Sequence, residues 1–427
     1  MCEKKTLALH GEYADCWVRS QLINKSQFIR RGRRNMTRRH FMRNSLVMTA
    51  AGVGHFPQGK VKASATSGSP TKALFEDIVV IPLPTDRTHR GFSGSIVELR
   101  DGSLLYATGN PRNEIQQSGV IGRISRDGGR TWGDPFSMQR NFARLGTLQP
   151  SLLRLKDGRL LFGYNTINNY QGGDIRFYDG HFYVRYSYDE ARTWSDPFCA
   201  TLYPGYNTVN PDRVIQLPSG RIVVPADWSR AVGGGEAGHD VCLCYYSDDG
   251  YTWIRSRNFV DTGKTTEEPS IVALKDGRLL MVYRNRMGYV GRAYSPDQGD
   301  SWTEPGFYPL PSPLSPQCIT RIPKTGDLLL LWLNNPLAVG FAQGEKQTSV
   351  RIAEITRSVG QLRAPLSSAI SRDEGQTWEN IRNITSDPQG DYGYQGVTFV
   401  GDVALVNYHA LDGIHVTRIG VDWFYGK

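Results

Sequence analysis

At 427 residues the chain is long enough for one large β domain or two ordinary ones, its apolar content is ordinary, and no run reaches the roughly 20 apolar residues of a membrane span. The formal charge of +9 invites a nucleic-acid partner, but 13 of the 50 Lys/Arg and only 3 of the 41 Asp/Glu fall in residues 1–65. The remainder, 37 basic against 38 acidic residues, is about neutral, which excludes a broad basic face for a phosphate backbone.

The basicity belongs to a leader. Thr37-Arg38-Arg39-His40-Phe41-Met42-Arg43 resembles the twin-arginine export motif. An apolar stretch from Leu46 to Val53 follows, then Ala63-Ser64-Ala65, an A-x-A cleavage pattern. This order predicts a twin-arginine signal over 36–65, with 1–35 an upstream extension before Met36. It implies the twin-arginine export machinery as a partner and a periplasmic or extracellular destination. The apolar stretch is too short for an anchor. Cys242 and Cys244, two apart in a strand-like run, point the same way. Neither Cys nor His shows metal-ligand spacing, so buried free thiols are expected and no cofactor or metal is implied.

From about residue 75 the chain repeats itself. Ser125-Arg126-Asp127-Gly128-Gly129-Arg130-Thr131-Trp132 recurs at Ser295 to Trp302 and at Ser371 to Trp378. Ser187 to Trp194 carries Ala191 at the Gly position, and Ser247 to Trp253 is one residue short. An Asp can accept backbone N–H groups in a tight turn, Gly gives the backbone its freedom, and Trp buries a broad face, so the motif is read as structural. A second repeat is a hairpin between apolar strands, with turns at Asp101-Gly102, Asp157-Gly158, Ser219-Gly220, Asp276-Gly277, Thr325-Gly326 and Gly401-Asp402. Six hairpins and no long helical periodicity predict an all-β chain, a six-bladed β-propeller of four-stranded antiparallel blades over 75–427.

In such a blade the first hairpin turn and the repeated motif lie on one rim. The start of the innermost strand, the end of the second and the start of the third lie on the other. Candidate residues should fall at those latter places. Glu268 opens the inner strand of blade four, and Arg284 ends the strand that follows. Tyr394 opens the inner strand of blade six, and Arg363 precedes the third strand of blade five. Glu114 precedes the third strand of blade one. Asp212 and Arg213 open blade three, whose second strand ends at Asp227. One rim thus gathers carboxylates, guanidinia and a phenol, a set suited to an anionic substrate.

The S-x-D-x-G-x-T-W motif and these positions together resemble the sialidase (neuraminidase) superfamily of Asp-box, or BNR-repeat, proteins. The resemblance implies a Tyr nucleophile with a Glu base, three Arg on the sugar carboxylate and an Asp acid/base. Glu268 stands at the Glu, Arg284 and Arg363 at two of the Arg, and Tyr394 at the nucleophile. The chain departs from the pattern twice. Phe92 occupies the place of the first Arg, with Arg90 two residues earlier on the same strand face, and Asn113 falls at the acid/base spacing, with Glu114 beside it.

The expected function is an exo-acting glycoside hydrolase that releases a terminal sialic acid from a glycan. Tyr394, Glu268 and Glu114 are its catalytic candidates, and Arg284, Arg363, Arg90, Asp212, Arg213 and Asp227 its substrate-binding ones. Hydrolysis of another acidic sugar such as a uronic acid, with Asp212, Asp227 or Glu268 as acid and base, and a non-catalytic carbohydrate-binding propeller are the alternatives.

Overall fold

The computed structural model describes residues 73–85, 90–169, 179–229, 240–337 and 363–427. The twin-arginine segment, the apolar stretch and the cleavage pattern lie outside the described residues. What is described is all-β, as the sequence leads one to expect, with a five-residue 3-10 turn at Val421–Tyr425.

Each Gly-centred turn closes a hairpin. At Asp276-Gly277 the Asp carboxylate accepts the Arg278 amide at 3.0 Å and Gly277 takes φ 91°, so Ala273 pairs with Leu279. The strands fall into antiparallel meanders. Sheet one runs Ser95–Glu98, Leu104–Gly109, Ser118–Ser125 and Phe136–Arg140. Sheet two is Gly146–Arg154, Leu160–Asn169, Asp179–Ser187 and Phe198–Cys199. Sheet three is Tyr206–Thr208 with Ile215–Gln216, then Ile222–Ser229, Val241–Ser247 and Ile254–Arg255. A parallel pairing of Tyr206 with Gly180 links sheets two and three. Sheet four is Thr266–Ala273, Leu279–Asn285, Tyr289–Ser295 and Gly306–Pro311. Sheet five is Cys318–Arg321, Leu328–Leu333, Leu366–Ser371 and Glu379–Asn383. Sheet six is Gly393–Val400, Val403–Ala410 and Gly413–Gly420, and its outermost strand is Phe75–Pro82, from the start of the described chain.

Apolar clusters lie between consecutive sheets. Leu104, Tyr106, Leu405 and Val416 join sheets one and six; Val97, Leu105, Leu160 and Phe162 join one and two. Similar clusters unite two with three, three with four, four with five and five with six. The inner strand Ser95–Glu98 touches both Gly146–Arg154 and Gly393–Val400, and Cys318–Arg321 touches both Thr266–Ala273 and Gly393–Val400. Cys242, Cys244 and Cys318 are buried free thiols and Cys199 a half-buried one.

The repeated Ser-x-Asp motif is a closed hydrogen-bonded turn. Asp127 Oδ1 accepts the Ser125 hydroxyl at 2.8 Å and the Thr131 amide at 2.9 Å, its Oδ2 accepts the Thr131 hydroxyl at 2.6 Å, and Ser125 Oγ accepts the Gly129 amide at 2.8 Å. Asp189, Asp249, Asp297 and Asp373 repeat this arrangement. Ala191 stands at the Gly position with φ 64°, strained for a residue with a Cβ. Sheet six lacks the motif because its outermost strand is not the next one along the chain, so there is no third-to-fourth turn for it to close.

Candidate active site

The inner strands share an irregularity where they begin. Gln149 in sheet two, Asp212 in sheet three, Glu268 in sheet four and Tyr394 in sheet six all take left-handed φ, of 56°, 62°, 51° and 53°. In sheets two, four and six the pairing register slips at these points, between Leu148 and Ser151, Glu267 and Ser270, and Gly393 and Gly396. A bulge of this kind breaks the alternation of side chains and re-aims one of them. Left-handed backbone at four non-Gly residues costs energy, and such strain persists where surrounding packing enforces it.

Two of the re-aimed residues, Tyr394 and Glu268, meet. The Glu268 carboxylate stands within electrostatic reach of the Tyr394 phenol. Burial, then the Glu268 anion, raises the phenol well above its ordinary range, while Arg284 and Arg363 oppose the rise, so the resting phenol is neutral. Glu268 Oε2 accepts Arg284 Nη1 at 2.7 Å, and Glu267 Oε2 lies 3.3 Å from Arg284 Nε. Burial works against the Arg284 charge, but Glu267 and Glu268 outweigh it and hold the guanidinium protonated.

The Arg363 guanidinium lies 5.8 Å from the centre of the Tyr394 ring, donates Nη2 to the Leu314 carbonyl at 2.8 Å and leaves Nη1, though buried, without a partner. Burial, then the like charges of Arg90 and Arg284, push it down to about 10. Arg90 is held from behind by Asp391, with Nη2 at 2.9 Å and Nε at 3.2 Å from the carboxylate. Asp391 is buried, yet the His409 ring 4.0 Å away and the charges of Arg90 and Arg363 overcome that and keep it well below the usual carboxylate range. His409, wholly buried, packs 5.6 Å from the Tyr394 ring; burial holds it down to about 4, so it is neutral. Gly393 makes this packing possible, because a Cβ there would lie 3.2 Å from both Arg363 Nη1 and His409 Cε1. Arg284 and Arg363 thus flank one neutral phenol near a carboxylate, with Arg90 within electrostatic reach of Arg363, an arrangement with the charge to bind an anion.

Four expectations need correction. Arg213 is 1% exposed and is not turned to a substrate: Nη1 donates to the Pro211 carbonyl at 2.9 Å, and Nη2 to the carbonyls of Gln317 and Gln395, both at 3.0 Å. It braces sheet three against sheets five and six. Asp212 is also structural, accepting Ser95 Oγ at 2.6 Å and the Val397 amide at 2.8 Å. Asp227 lies behind Glu268, accepting Thr208 Oγ1 at 2.8 Å and the Glu268 amide at 3.4 Å; burial, then Asp240, Glu267 and Glu268, raises its carboxyl well above the usual range. Glu114 gives both oxygens to Arg123 Nη2 at 2.9 Å, and so is engaged away from the Tyr394 group.

Sequence reasoning missed Asp391, His409, Glu267 and Gln149. Glu267 is adjacent to Glu268 and Asp391 lies three residues before Tyr394, but the bulges that turn the side chains there leave no sequence signal. Gln149 carried no chemical signal beyond its place at the start of an inner strand.

Residues 166–406 match the BNR repeat-like domain family. A sialidase of Micromonospora viridifaciens is 29% identical over 334 residues, which are 69% of this chain and 47% of that protein; the chain thus spans about half the length of this curated relative. Among solved structures, a Hadza microbial sialidase superposes with a TM-score of 0.61 at 19% identity, covering 81% of this chain and 69% of that one. A Dyadobacter fermentans protein of unknown function superposes with a TM-score of 0.58 at 17% identity, covering 81% and 98%. At these identities the structural likeness establishes a sialidase-like fold.

Proposed function

Because the chain belongs to the BNR repeat-like domain family, we propose that its six sheets close as the blades of a propeller around an active site for exo-acting hydrolysis of a terminal sialic acid. The observation that carries this reading is the Glu268 carboxylate, hydrogen-bonded to Arg284 and within electrostatic reach of the Tyr394 phenol, with Arg363 beside the Tyr394 ring. Contacts of Ser95–Glu98 with Gly146–Arg154 and Gly393–Val400, of Cys318–Arg321 with Thr266–Ala273 and Gly393–Val400, and of Ile222–Ser229 with Thr266–Ala273 support the closure.

Arg90, Arg284 and Arg363 take the sugar carboxylate. A carboxylate nucleophile would be repelled by that anion, whereas a neutral phenol is not. Glu268 removes the phenolic proton as the Tyr394 oxygen bonds to the anomeric carbon and the glycosidic bond breaks. The departing oxygen takes a proton from water, and the hydroxide so formed attacks the anomeric carbon; the bond to Tyr394 breaks, and Glu268 returns its proton to the phenolate. Asp391 keeps Arg90 directed at the carboxylate, filling the place left by Phe92.

The leader fits export by the twin-arginine route to the periplasm or beyond, where sialylated glycans are met. The test of the catalytic reading is Tyr394→Phe assayed on a fluorogenic sialoside. Loss of turnover by about 100-fold or more with an unchanged unfolding midpoint is expected; full turnover refutes it.

A further inference from the structure

Neighbouring residues on a regular strand face opposite sides of the sheet. Glu267 and Glu268 do not. The left-handed φ of 51° at Glu268 and the register slip between Glu267 and Ser270 turn both carboxylates onto one guanidinium. Glu268 Oε2 accepts a hydrogen bond from Arg284 Nη1 at 2.7 Å, Glu267 Oε2 stands 3.3 Å from Arg284 Nε as an ion pair in which Nε makes no hydrogen bond, and each glutamate side chain is 10% exposed.

We propose that Glu267 is a positioning residue: it occupies the Nε edge of Arg284, so that Glu268 meets the guanidinium at a single nitrogen and keeps hydrogen-bonding capacity for the Tyr394 phenol. This rests on the catalytic reading above and divides its labour between two adjacent acids.

The geometry gives the reason. Nε and an Nη of a guanidinium form a fork that matches both oxygens of one carboxylate. Were Glu268 the sole anion at Arg284, that fork would be open to both of its oxygens. A carboxylate so held is a weaker base and has less to offer the phenol. With Glu267 on the Nε edge, the guanidinium is shared. The second negative charge also offsets the Arg284 cation.

The groups around the pair are mostly acidic. Asp227 lies near the end of the second strand of sheet three, Asp240 directly precedes its third, Arg286 lies beyond Arg284, and Tyr394 comes from sheet six. Burial, then the Glu267 charge, pushes the Asp240 carboxyl up to about 7, and burial raises Glu267 as well, against the opposing charge of Arg284.

Glu267→Gln is nearly isosteric and removes only the charge. In the full chain, assayed on a fluorogenic sialoside from pH 4 to 9, kcat should fall about tenfold, because both oxygens of Glu268 are then free to close on the Arg284 fork and offer less to the phenol. The acid limb of the kcat profile should move to lower pH. KM should stay level or fall, since Arg284 is then less neutralised. Glu267→Asp should restore much of the wild-type profile. A merely structural Glu267 would leave the acid limb in place, and an unmoved limb overturns the inference whatever happens to the rate. The two readings fail separately: an unmoved limb in Glu267→Gln with turnover abolished in Tyr394→Phe overturns this inference alone, whereas full turnover in Tyr394→Phe overturns both.

Discussion

Arg213→Met separates a brace from a binding residue. In the wild type the guanidinium supplies donors to four carbonyls, those of Pro211, Asp212, Gln317 and Gln395, at 2.9, 3.3, 3.0 and 3.0 Å. Gln395 lies in the slipped part of its strand pairing, between Gly393 and Gly396, so its carbonyl has no ladder partner to fall back on. Met retains most of the apolar stem and the volume but none of the donors. Each buried acceptor left unmet costs about 1–3 kcal/mol. Counting the two carbonyls on other sheets, and allowing for the removed cost of burying a charge, the loss is about 3–5 kcal/mol. Asp212, also buried, loses the cation that steadies its carboxylate and adds to the loss. For a unit of this size that is a fall in melting temperature of roughly 5 °C. Urea unfolding followed by tryptophan fluorescence measures the first quantity, and steady-state kinetics below the transition show KM unchanged. A variant as stable as the wild type with a raised KM would refute the brace and restore the substrate contact read from the sequence.

The remaining predictions concern the site and the closing strand. Gly393→Ala places a methyl 3.2 Å from Arg363 Nη1, and the displaced guanidinium should raise KM for a sialoside about tenfold while the protein stays folded; unchanged kinetics would mean that Arg363 does not bind the carboxylate. The outer strand Phe75–Pro82 is latched by Asp77, which accepts from His415 Nδ1 at 3.0 Å, Tyr408 Oη at 3.0 Å and Thr417 Oγ1 at 2.6 Å, while His415 Nε2 contacts Asp412 at 2.9 Å. Burial opposes both charges, but the hydrogen bonds win: they lower Asp77 below 3.8 and raise His415 above 6.5. The Asp77 contribution is therefore complete above pH 3.8 and lost as pH falls through its folded value, and that of His415 is complete below pH 6.5 and lost as pH rises through its folded value. Urea midpoints should decline on both sides of this window, and His415→Gln should flatten the alkaline decline; an identical alkaline slope in the variant would contradict the latch.

The fold was readable because its signals are local. An Asp that closes its own turn and a Gly that permits it leave a fixed spacing, and five copies of the motif with six hairpins mark where sheets begin and end. The absence of a sixth motif is equally local, since the strand that would follow it comes from the other end of the described chain. The site was readable only to the level of position. Glu268, Arg284, Arg363 and Tyr394 sit at or beside strand starts and ends, and Arg90 sits just before the inner strand of sheet one. Which way a side chain turns at such a place depends on bulges, and nothing in the Glu267-Glu268 dipeptide announces a left-handed residue. The same limit explains the misreading of Asp212 and Arg213. Their place along the strand suits a mouth, but their side chains run among the inner strands, where carbonyls of slipped pairings await donors.

The most direct test of the central claim is covalent trapping. A sialic acid analogue with a good leaving group at the anomeric carbon and fluorine at the adjacent carbon forms the bond to the nucleophile faster than water breaks it. After digestion, peptide mass spectrometry should find the sugar on the Tyr394 phenol in the wild type, and no adduct there in Glu268→Gln over the same interval. A label on any other residue, or equal labelling of Tyr394 without Glu268, would contradict the account.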